Sequence, residues 1–505
     1  MNEAVKKKRE GGGRLFIHLI CGGLSHAVSA GIALFLTPFL IGRLGVEAYG
    51  FYPIALEITA IAALVMGLLN ATAGRYIAVE YARGNREDAK CYCSTVFFSA
   101  LVLAGVLLIP LGFLVVLGDR FLDIPEGLSG EIRTFLGLMI AAGLIDAVSA
   151  VFGTSYETAD RLDFRAAGEM AGVLVRALLL WFLLSGVLPI SIISVGVAVL
   201  VSSVVSACIR FFMAKHLTPE ILPDRKCFSW AALRRLLASG TWYSVNELGS
   251  WLTAGALLIL VNVLFGAAES GVYSLALTAA RVFGGVMLML ASLFIPRATR
   301  QFAKGDKEAL LSEVLGGQRL VGFFALVGVS MAVGFLKEFF TLWLGAENTI
   351  LLRLLTVMSL LPMLSVALSL PLFHMAVVMN RLKRMALLYV GGSLLGAAAA
   401  LALAAFTHTS ILGVALVAFG VRVLWYSVFM PFYAAHLLGV EPLTFFLPIL
   451  RTYIGAGISV GLILALKSVC DLSSFVAFLI ASVSSLCAVL AVGYFAVYGK
   501  PKLKM

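Results

Sequence analysis

Long apolar stretches alternate with short polar breaks along the whole chain. An apolar run of about 20 residues, folded as a helix, spans the ~30 Å hydrocarbon core of a bilayer. By this rule the pattern predicts fourteen transmembrane helices, with ends placed to within a few residues. The predicted spans are 15–41, 51–73, 92–117, 132–153, 168–186, 190–214, 239–262, 272–295, 319–342, 352–379, 386–406, 411–436, 450–468 and 474–497.

The composition supports an all-α polytopic membrane protein. Of the 505 residues, 61% are apolar and 13% are charged, and the mean hydropathy is +1.02. Soluble globular proteins are about half apolar and a quarter charged. No polar stretch between the spans is long enough to bury a core of its own, which excludes a soluble enzyme.

The basic residues set the orientation. The formal net charge is +11, but the lysines and arginines form short clusters between spans, so no nucleic-acid partner is expected. With the N-terminus inside, and with basic residues within five positions of a span end counted in the adjoining segment, 29 of the 38 lie in inner segments, six in outer segments and three deep within spans. The positive-inside rule therefore predicts that both termini are cytoplasmic.

The cysteines indicate neither a disulfide framework nor a metal site. All seven lie in spans or on the predicted inner side, except Cys470, and cytosolic thiols are kept reduced. The C-Y-C segment at 91–93 is too short for metal-ligand spacing. We find no nucleotide-binding or hydrolase motif and expect no cofactor.

An internal repeat divides the chain into two halves. Shifting the sequence by 221 positions aligns 44–56 with 265–277 and 82–87 with 303–308. Six spans separate the copies, so both halves enter the membrane in the same sense. We expect two parallel six-helix bundles related by a pseudo-two-fold axis along the membrane normal, with two appended helices. This plan is known in secondary transporters, whose substrate site lies between the halves.

The repeat also sets the expected domain organisation. Residues 1–235 would form the N-terminal six-helix bundle and residues 236–445 the C-terminal one. The remaining segment, 446–505, would contain the thirteenth and fourteenth helices and a cytoplasmic tail.

Three patches resemble a known family. LTPFLIGRLGVEAYGFYPIALEI (36–58) and RYIAVEYARGNREDAK (75–90) are similar to signatures of the polysaccharide transporter family of the MOP flippase superfamily. SYETADRLDFRAAGEM (155–170) resembles the exit from that family's fourth helix. The likeness in span number and order covers the whole chain, whereas the sharp motifs cover only these patches.

The resemblance implies a function that composition and spacing do not give. Members of that family flip undecaprenyl-diphosphate-linked saccharides across the bacterial cytoplasmic (inner) membrane, and relatives couple transport to cation gradients through a cationic cavity. We therefore expect an alternating-access flippase that is not an enzyme. Its expected partners are the lipid-linked saccharide, a proton or sodium ion, the lipid bilayer and other polysaccharide assembly proteins.

Arginines inside spans are the candidate head-group site. An ionisable side chain near the bilayer centre costs about 2.5–3.5 kcal/mol, so it normally faces a cavity or a partner. Arg281 lies about 13 Å into the eighth span at 1.5 Å per residue, and Arg176 and Arg422 lie at similar depth. Guanidinium groups offer forked donors that match phosphate oxygens, so these three are candidates for binding the diphosphate.

Acidic residues and one histidine are candidates for ion coupling. The repeat makes His26 equivalent in position to Glu247, and it makes Glu57 equivalent to Thr278. Thr278 lies one helical turn before Arg281. Glu57, Glu247 and Asp146 could bind a cation or take up a proton, and His26 could titrate near neutral pH. Any of these charges could instead be a buried ion pair between helices.

Three other functions remain open at this level. A multidrug and cation antiporter of the same superfamily shares the two-bundle plan, but it would need an anionic cavity. A membrane-embedded polysaccharide polymerase or ligase would be expected to show a large basic outer loop, and the longest here is 118–131. A non-transporting scaffold in a polysaccharide assembly complex would tolerate neutral substitutions at the intramembrane charges.

Overall fold

The chain folds into helices joined by short connections. The computed structural model describes residues 2–125, 127–186, 189–345, 349–379, 381–407, 410–469 and 475–498, and every regular element in these ranges is helical. The α-helices are α1 (Asn2–Leu44), α2 (Val46–Ala82), α3 (Arg86–Val116), α4 (Ser129–Ser149), α5 (Thr154–Thr158), α6 (Leu162–Leu183), α7 (Ile192–Leu217), α8 (Trp230–Phe265), α9 (Ala267–Ser292), α10 (Ile295–Lys304), α11 (Lys307–Gly334), α12 (Leu336–Leu344), α13 (Ile350–Leu360), α14 (Met363–Val378), α15 (Leu382–Thr407), α16 (Ile411–Leu424), α17 (Met430–Leu438), α18 (Leu443–Val469) and α19 (Phe475–Tyr498).

Fourteen of these helices or helix pairs are long and apolar enough to cross a membrane. They coincide one for one with the spans predicted from the sequence, which confirms an all-α polytopic membrane protein. Four crossings consist of two consecutive helices: α4 with α5, α9 with α10, α13 with α14, and α16 with α17.

Several helices extend beyond the predicted ends. The second span was predicted at 51–73, whereas α2 covers Val46–Ala82, and the seventh was predicted at 239–262, whereas α8 covers Trp230–Phe265. Hydropathy detects only the lipid-crossing part of a helix, and the polar turns beyond it remain helical. The ninth span was placed too late, because α11 ends at Gly334 and the rest of the predicted run forms α12.

The interruptions within crossings have local causes. Pro362 precedes α14 and Pro296 lies in the first turn of α10. Proline has no backbone N–H and therefore starts helices readily but breaks their interiors. In the twelfth span a π-helical turn at Trp425–Phe429 connects α16 to α17, and such turns distort a helix without ending it.

Two compact units divide the chain, the first ending at Gly271 and the second beginning at Val272. In the first unit α2 packs along α8 and α3, and α4 packs along α7. In the second unit α11 packs against α14, α18 and α19. The first unit thus contains α8, which the repeat assigns to the C-terminal half. The repeat boundary after residue 235 and the pseudo-two-fold axis remain predictions.

Small residues allow α2 and α8 to approach closely. A side chain at Gly240 on α8 would collide with the backbone of Leu68 on α2, and one at Gly67 would lie 3.1 Å from Ser244 Oγ. Small residues at helix contacts are the usual way in which membrane helices pack, because lipid supplies no hydrophobic drive between them. This contact positions the acidic residues described next.

Candidate functional site

Two predicted carboxylates meet in one cavity of the first unit. Glu57 on α2 and Glu247 on α8 both line a cavity of about 410 Å³. Tyr243, Ser244 and Trp251 of α8 contribute further polar groups to its wall. The cavity wall thus presents carboxylate oxygens from two different helices.

Glu57 is held by close packing against α8. The Trp251 indole Nε1 donates a hydrogen bond to the Glu57 backbone carbonyl at 3.1 Å. The Glu57 carboxylate lies over Gly255, where an added methyl group would overlap both Glu57 Oε2 and the Trp251 indole. The absence of a side chain at Gly255 is therefore what allows the carboxylate to occupy this position.

Glu247 has polar neighbours on its own helix. The adjacent Asn246 side chain and Tyr243 both lie within electrostatic range of the Glu247 carboxyl group. The hydroxyl of Ser244, on the wall of the same cavity, is buried and has no hydrogen-bond partner among the described residues. A buried hydroxyl of this kind is an available ligand for a small polar guest.

Asp146 lies in a neighbouring cavity and is already paired. A cavity of about 420 Å³ is lined by Asp146 and Asn70, and it shares Ala60 and Ala63 with the cavity of Glu57. Arg210 on α7 donates to Asp146 Oδ1 at 3.0 Å.

Two serines complete this polar cluster. Ser203 on α7 donates to Asp146 Oδ2 at 2.6 Å, and Arg210 Nη1 also donates to Ser149 Oγ at 2.8 Å. The Asp146 charge is thus compensated by Arg210, a partner that sequence reasoning missed. The two residues are 64 positions apart, and no local pattern links them.

The remaining predicted residues of the first unit lie elsewhere. His26 is an exposed side chain on α1 and does not belong to the lining of either cavity. Arg176 on α6 is half-buried and donates from Nε to Ser202 Oγ on α7 at 3.2 Å. A guanidinium group has five donors, so this contact leaves capacity for an anion.

Two predicted arginines converge in the second unit. Arg281 lies near the middle of α9 and Arg422 near the end of α16, and both lie within electrostatic range of the Tyr273 hydroxyl. Tyr273 is only 2% exposed, whereas Arg281 is exposed and Arg422 is half-buried. The two cations are therefore electrostatic neighbours of one buried tyrosine.

A π-helical turn begins three residues after Arg422. It carries a ladder of stacked rings, in which Trp425 lies 4.5 Å from Tyr389 and 4.1 Å from Phe429 between ring centroids. Ser369 on α14 donates to the carbonyl oxygen of Tyr426 within the turn at 2.6 Å. Turns of this type are frequent at functional sites. Hydropathy gives no signal for a π-helical turn, so the sequence did not reveal this one.

A family model matches more than half of the chain. The family is described as "Polysaccharide biosynthesis protein", and the match covers residues 19–302. A curated relative, the uncharacterized membrane protein EpsK of Bacillus subtilis (strain 168), is 26% identical over 414 residues. That alignment covers 82% of this chain and 82% of EpsK.

Solved transporters share the fold. An inward-facing multidrug-resistance MATE transporter of the MOP superfamily matches with a TM-score of 0.65 at 14% identity, over 84% of this chain and 99% of its own. A MOP-superfamily transporter from Pyrococcus furiosus matches with a TM-score of 0.63 at 15% identity, over 84% of this chain and 95% of its own. The solved transporters show that this chain shares their fold, and the family match shows that it belongs to the polysaccharide biosynthesis protein family.

Proposed function

We propose that the protein flips an undecaprenyl-diphosphate-linked oligosaccharide across the bacterial cytoplasmic membrane by alternating access. The observation that carries the proposal is the pairing of Arg281 and Arg422 beside Tyr273, at mid-span positions of the second unit. The polysaccharide biosynthesis family supplies the saccharide context. The diphosphate-saccharide head group would cross the membrane while bound to the arginines, and the polyprenyl tail would stay in lipid.

The physical requirement is compensation of phosphate charge. A diphosphate that leaves water for a low-dielectric interior loses hydration worth many kcal/mol, unless fixed cations replace the water. Arg281 and Arg422 can each present two parallel N–H donors to phosphate oxygens. Arg176, with donors beyond its contact to Ser202, is the third candidate.

Coupling to a cation gradient is assigned to the carboxylate cavity. Glu57 and Glu247 line the same cavity, and a carboxylate within a membrane span can take up a proton or bind a cation. Asp146 is the weaker candidate, because Arg210 already neutralises it. His26 is exposed, so it could take part only if another conformation brought it close to Glu247.

The orientation follows the distribution of basic residues. With 29 of 38 lysines and arginines in segments on one side, we assign that side and both termini to the cytoplasm. The lipid-linked saccharide would then be taken up from the cytoplasmic leaflet, and partner proteins of polysaccharide assembly would act before and after translocation.

A cation or multidrug antiporter is the second candidate. The observation that favours it is the cavity with two carboxylates, the type of site that a cationic drug needs. Against it stands the cationic pair in the second unit. The Pyrococcus furiosus relative is described as having a binding pocket of reverse polarity that suggests a different function, so the shared fold accommodates pockets of either sign.

Reconstitution into liposomes distinguishes the two. Purified protein is given fluorescent undecaprenyl-diphosphate saccharide in the outer leaflet in one arm and a cationic dye in the other, each with imposed proton and sodium gradients. The proposal predicts translocation of the anionic lipid and no transport of the dye. Transport of the dye alone would establish the antiporter. Transport of neither under any gradient would favour the scaffold or an enzyme of polymer assembly.

A further inference from the structure

The linker between α7 and α8 is fastened to the start of α3. This linker covers residues 218–229 and contains a short helical turn at Arg225–Cys227. Lys90 Nζ on α3 lies 3.1 Å from Asp224 Oδ2, and Ser94 Oγ accepts a hydrogen bond from the Asp224 backbone N–H at 2.9 Å. One residue of the linker is thus held by two residues one turn apart on α3.

A second anchor lies on the other side of the helical turn. Thr95 Oγ1 on α3 accepts a hydrogen bond from the Ser229 backbone N–H at 3.0 Å. Asp224 Oδ1 also accepts from the Lys226 backbone N–H at 3.1 Å, which closes the turn itself. These contacts of the Lys226 N–H and the Lys90 ammonium hold the pKa of Asp224 below its usual range, so the anchor stays charged at neutral pH.

Two thiols lie in the same region, between the anchors. The helical turn of the linker packs against α3, and Cys91 of α3 and Cys227 of that turn lie within electrostatic range of each other. Both are reduced and half-buried, and the Lys90 ammonium lies within electrostatic range of both sulfur atoms. Burial and the nearby Cys227, Asp88 and Glu87 raise the pKa of Cys91, so the thiol is its resting form and only the minor thiolate fraction attacks disulfides. Fixed anchors on both sides keep the two sulfurs together without a bond between them.

We propose that Cys91 and Cys227 are a redox-sensitive dithiol whose disulfide ties the linker to α3. The oxidant is a small disulfide, RSSR. One thiolate attacks RSSR and releases RS⁻, which leaves a mixed disulfide on the protein, and the second thiolate displaces the other RS⁻. The two protein thiols lose two protons and two electrons, and RSSR becomes two RSH.

The geometry selects this pair over its neighbours. Cys93 is two residues further along α3, about 200° around a helix of 3.6 residues per turn, and it is buried. It therefore points away from the linker. On the predicted cytoplasmic side the resting state is the dithiol, so the disulfide would be transient, as cytosolic redox-sensing disulfides generally are. The inference does not depend on the transported substrate.

The test counts thiols that become protected on oxidation. Membranes containing the full chain are treated with bis(2-hydroxyethyl) disulfide, blocked with N-ethylmaleimide, reduced with dithiothreitol and labelled with maleimide-polyethylene glycol. We expect two labels per chain in the parent and in the matched control Cys93→Ser, with no reagent bound to the pair in the intact mass before reduction. In Cys91→Ser or Cys227→Ser we expect at most one label, from a mixed disulfide between the remaining cysteine and the reagent. Hydrogen exchange of the linker amides should slow in the oxidised parent and recover on reduction.

Several results would contradict the proposed disulfide. A parent that gains no label, or whose two labels come from cysteines that carry bound reagent, overturns the proposal, and so do two labels in Cys91→Ser or Cys227→Ser. Phenylarsine oxide, which needs two adjacent thiols, tests proximity without an oxidant by protecting both cysteines from maleimide. A parent that binds the arsenical and still forms no disulfide has adjacent thiols without redox function, which also contradicts the proposal.

Discussion

Each unit contains one pair of like ionisable side chains within its membrane spans, and the two pairs are of opposite sign. In the first unit Glu57 and Glu247 line one cavity of about 410 Å³. In the second unit Arg281 and Arg422 both lie within electrostatic range of Tyr273. We propose that the acidic pair serves a cation and the arginine pair an anion.

A third charged cluster has a visible partner of opposite sign. Asp146 is matched by Arg210 at 3.0 Å and by the Ser203 hydroxyl at 2.6 Å. Because Arg210 compensates the Asp146 charge, Asp146 is a weaker candidate for ion coupling than Glu57 and Glu247.

The largest expected effect on transport comes from removing the arginine pair of the second unit. We expect Arg281→Ala and Arg422→Ala each to slow translocation of the diphosphate-linked saccharide by roughly 10- to 100-fold, the cost of a lost charged hydrogen bond of about 1.5–3 kcal/mol. The liposome assay measures the rate. Arg319→Ala, an exposed arginine of the same unit, is the control and should keep the parental rate. An unchanged rate in both site variants would remove the pair from the site.

The next effect concerns coupling. We expect the double change Glu57→Gln with Glu247→Gln to reduce stimulation by an imposed cation gradient roughly tenfold, within the 1–3 kcal/mol typical of coupling energies. Translocation without a gradient should change less, because the arginines are intact. Glu87→Gln, at an exposed position of α3, should behave as the parent. Full stimulation in the double variant would assign coupling to other residues.

A smaller effect tests the position of Glu57 rather than its charge. Gly255→Ala inserts a methyl group where the Glu57 carboxylate lies. The flexible end of the side chain can move, so we expect about 1 kcal/mol of strain and a roughly fivefold weaker gradient response. The control is Gly105→Ala on α3, where nothing lies within 4 Å of the added group. Equal responses of the two variants would show that the packing over Gly255 is irrelevant.

The smallest effect is thermodynamic. A double-mutant cycle on Asp146→Asn and Arg210→Gln should give a coupling free energy of about 0.5–1 kcal/mol, because both side chains are about one third exposed (37% and 29%) and water screens them. Thermal unfolding in detergent measures the four proteins. A coupling free energy near zero would mean that the pair does not stabilise the unit. A large loss of gradient stimulation in Asp146→Asn would assign Asp146 to the coupling site.

The sequence predicted the fold because lipid imposes a simple rule. Each span needs about 20 apolar residues, so the apolar runs of that length in the sequence predict all fourteen spans found among the described residues. The helix ends were less certain, since the polar turns of α2 and α8 beyond the lipid remain helical. The break of the ninth run at Phe335, where α11 stops and α12 starts, carries no strong hydropathy signal.

The site was predictable only in its outline. The cost of burying charge picked out Glu57, Glu247, Arg281 and Arg422, and the structure brings them together in pairs. Partners from distant positions could not be predicted. Asp146 with Arg210 and Cys91 with Cys227 are such pairs, and helix packing alone decides them. His26 remains a prediction, because it lies outside both cavities.

The most direct test of the central claim is binding of the charged lipid. The account predicts that purified protein binds undecaprenyl diphosphate much more tightly than undecaprenol, and that Arg281→Ala with Arg422→Ala removes this preference. Tryptophan fluorescence or calorimetry in detergent gives both affinities. Equal affinity for the charged and uncharged lipids in the parent, or an undiminished preference in the double variant, would contradict it.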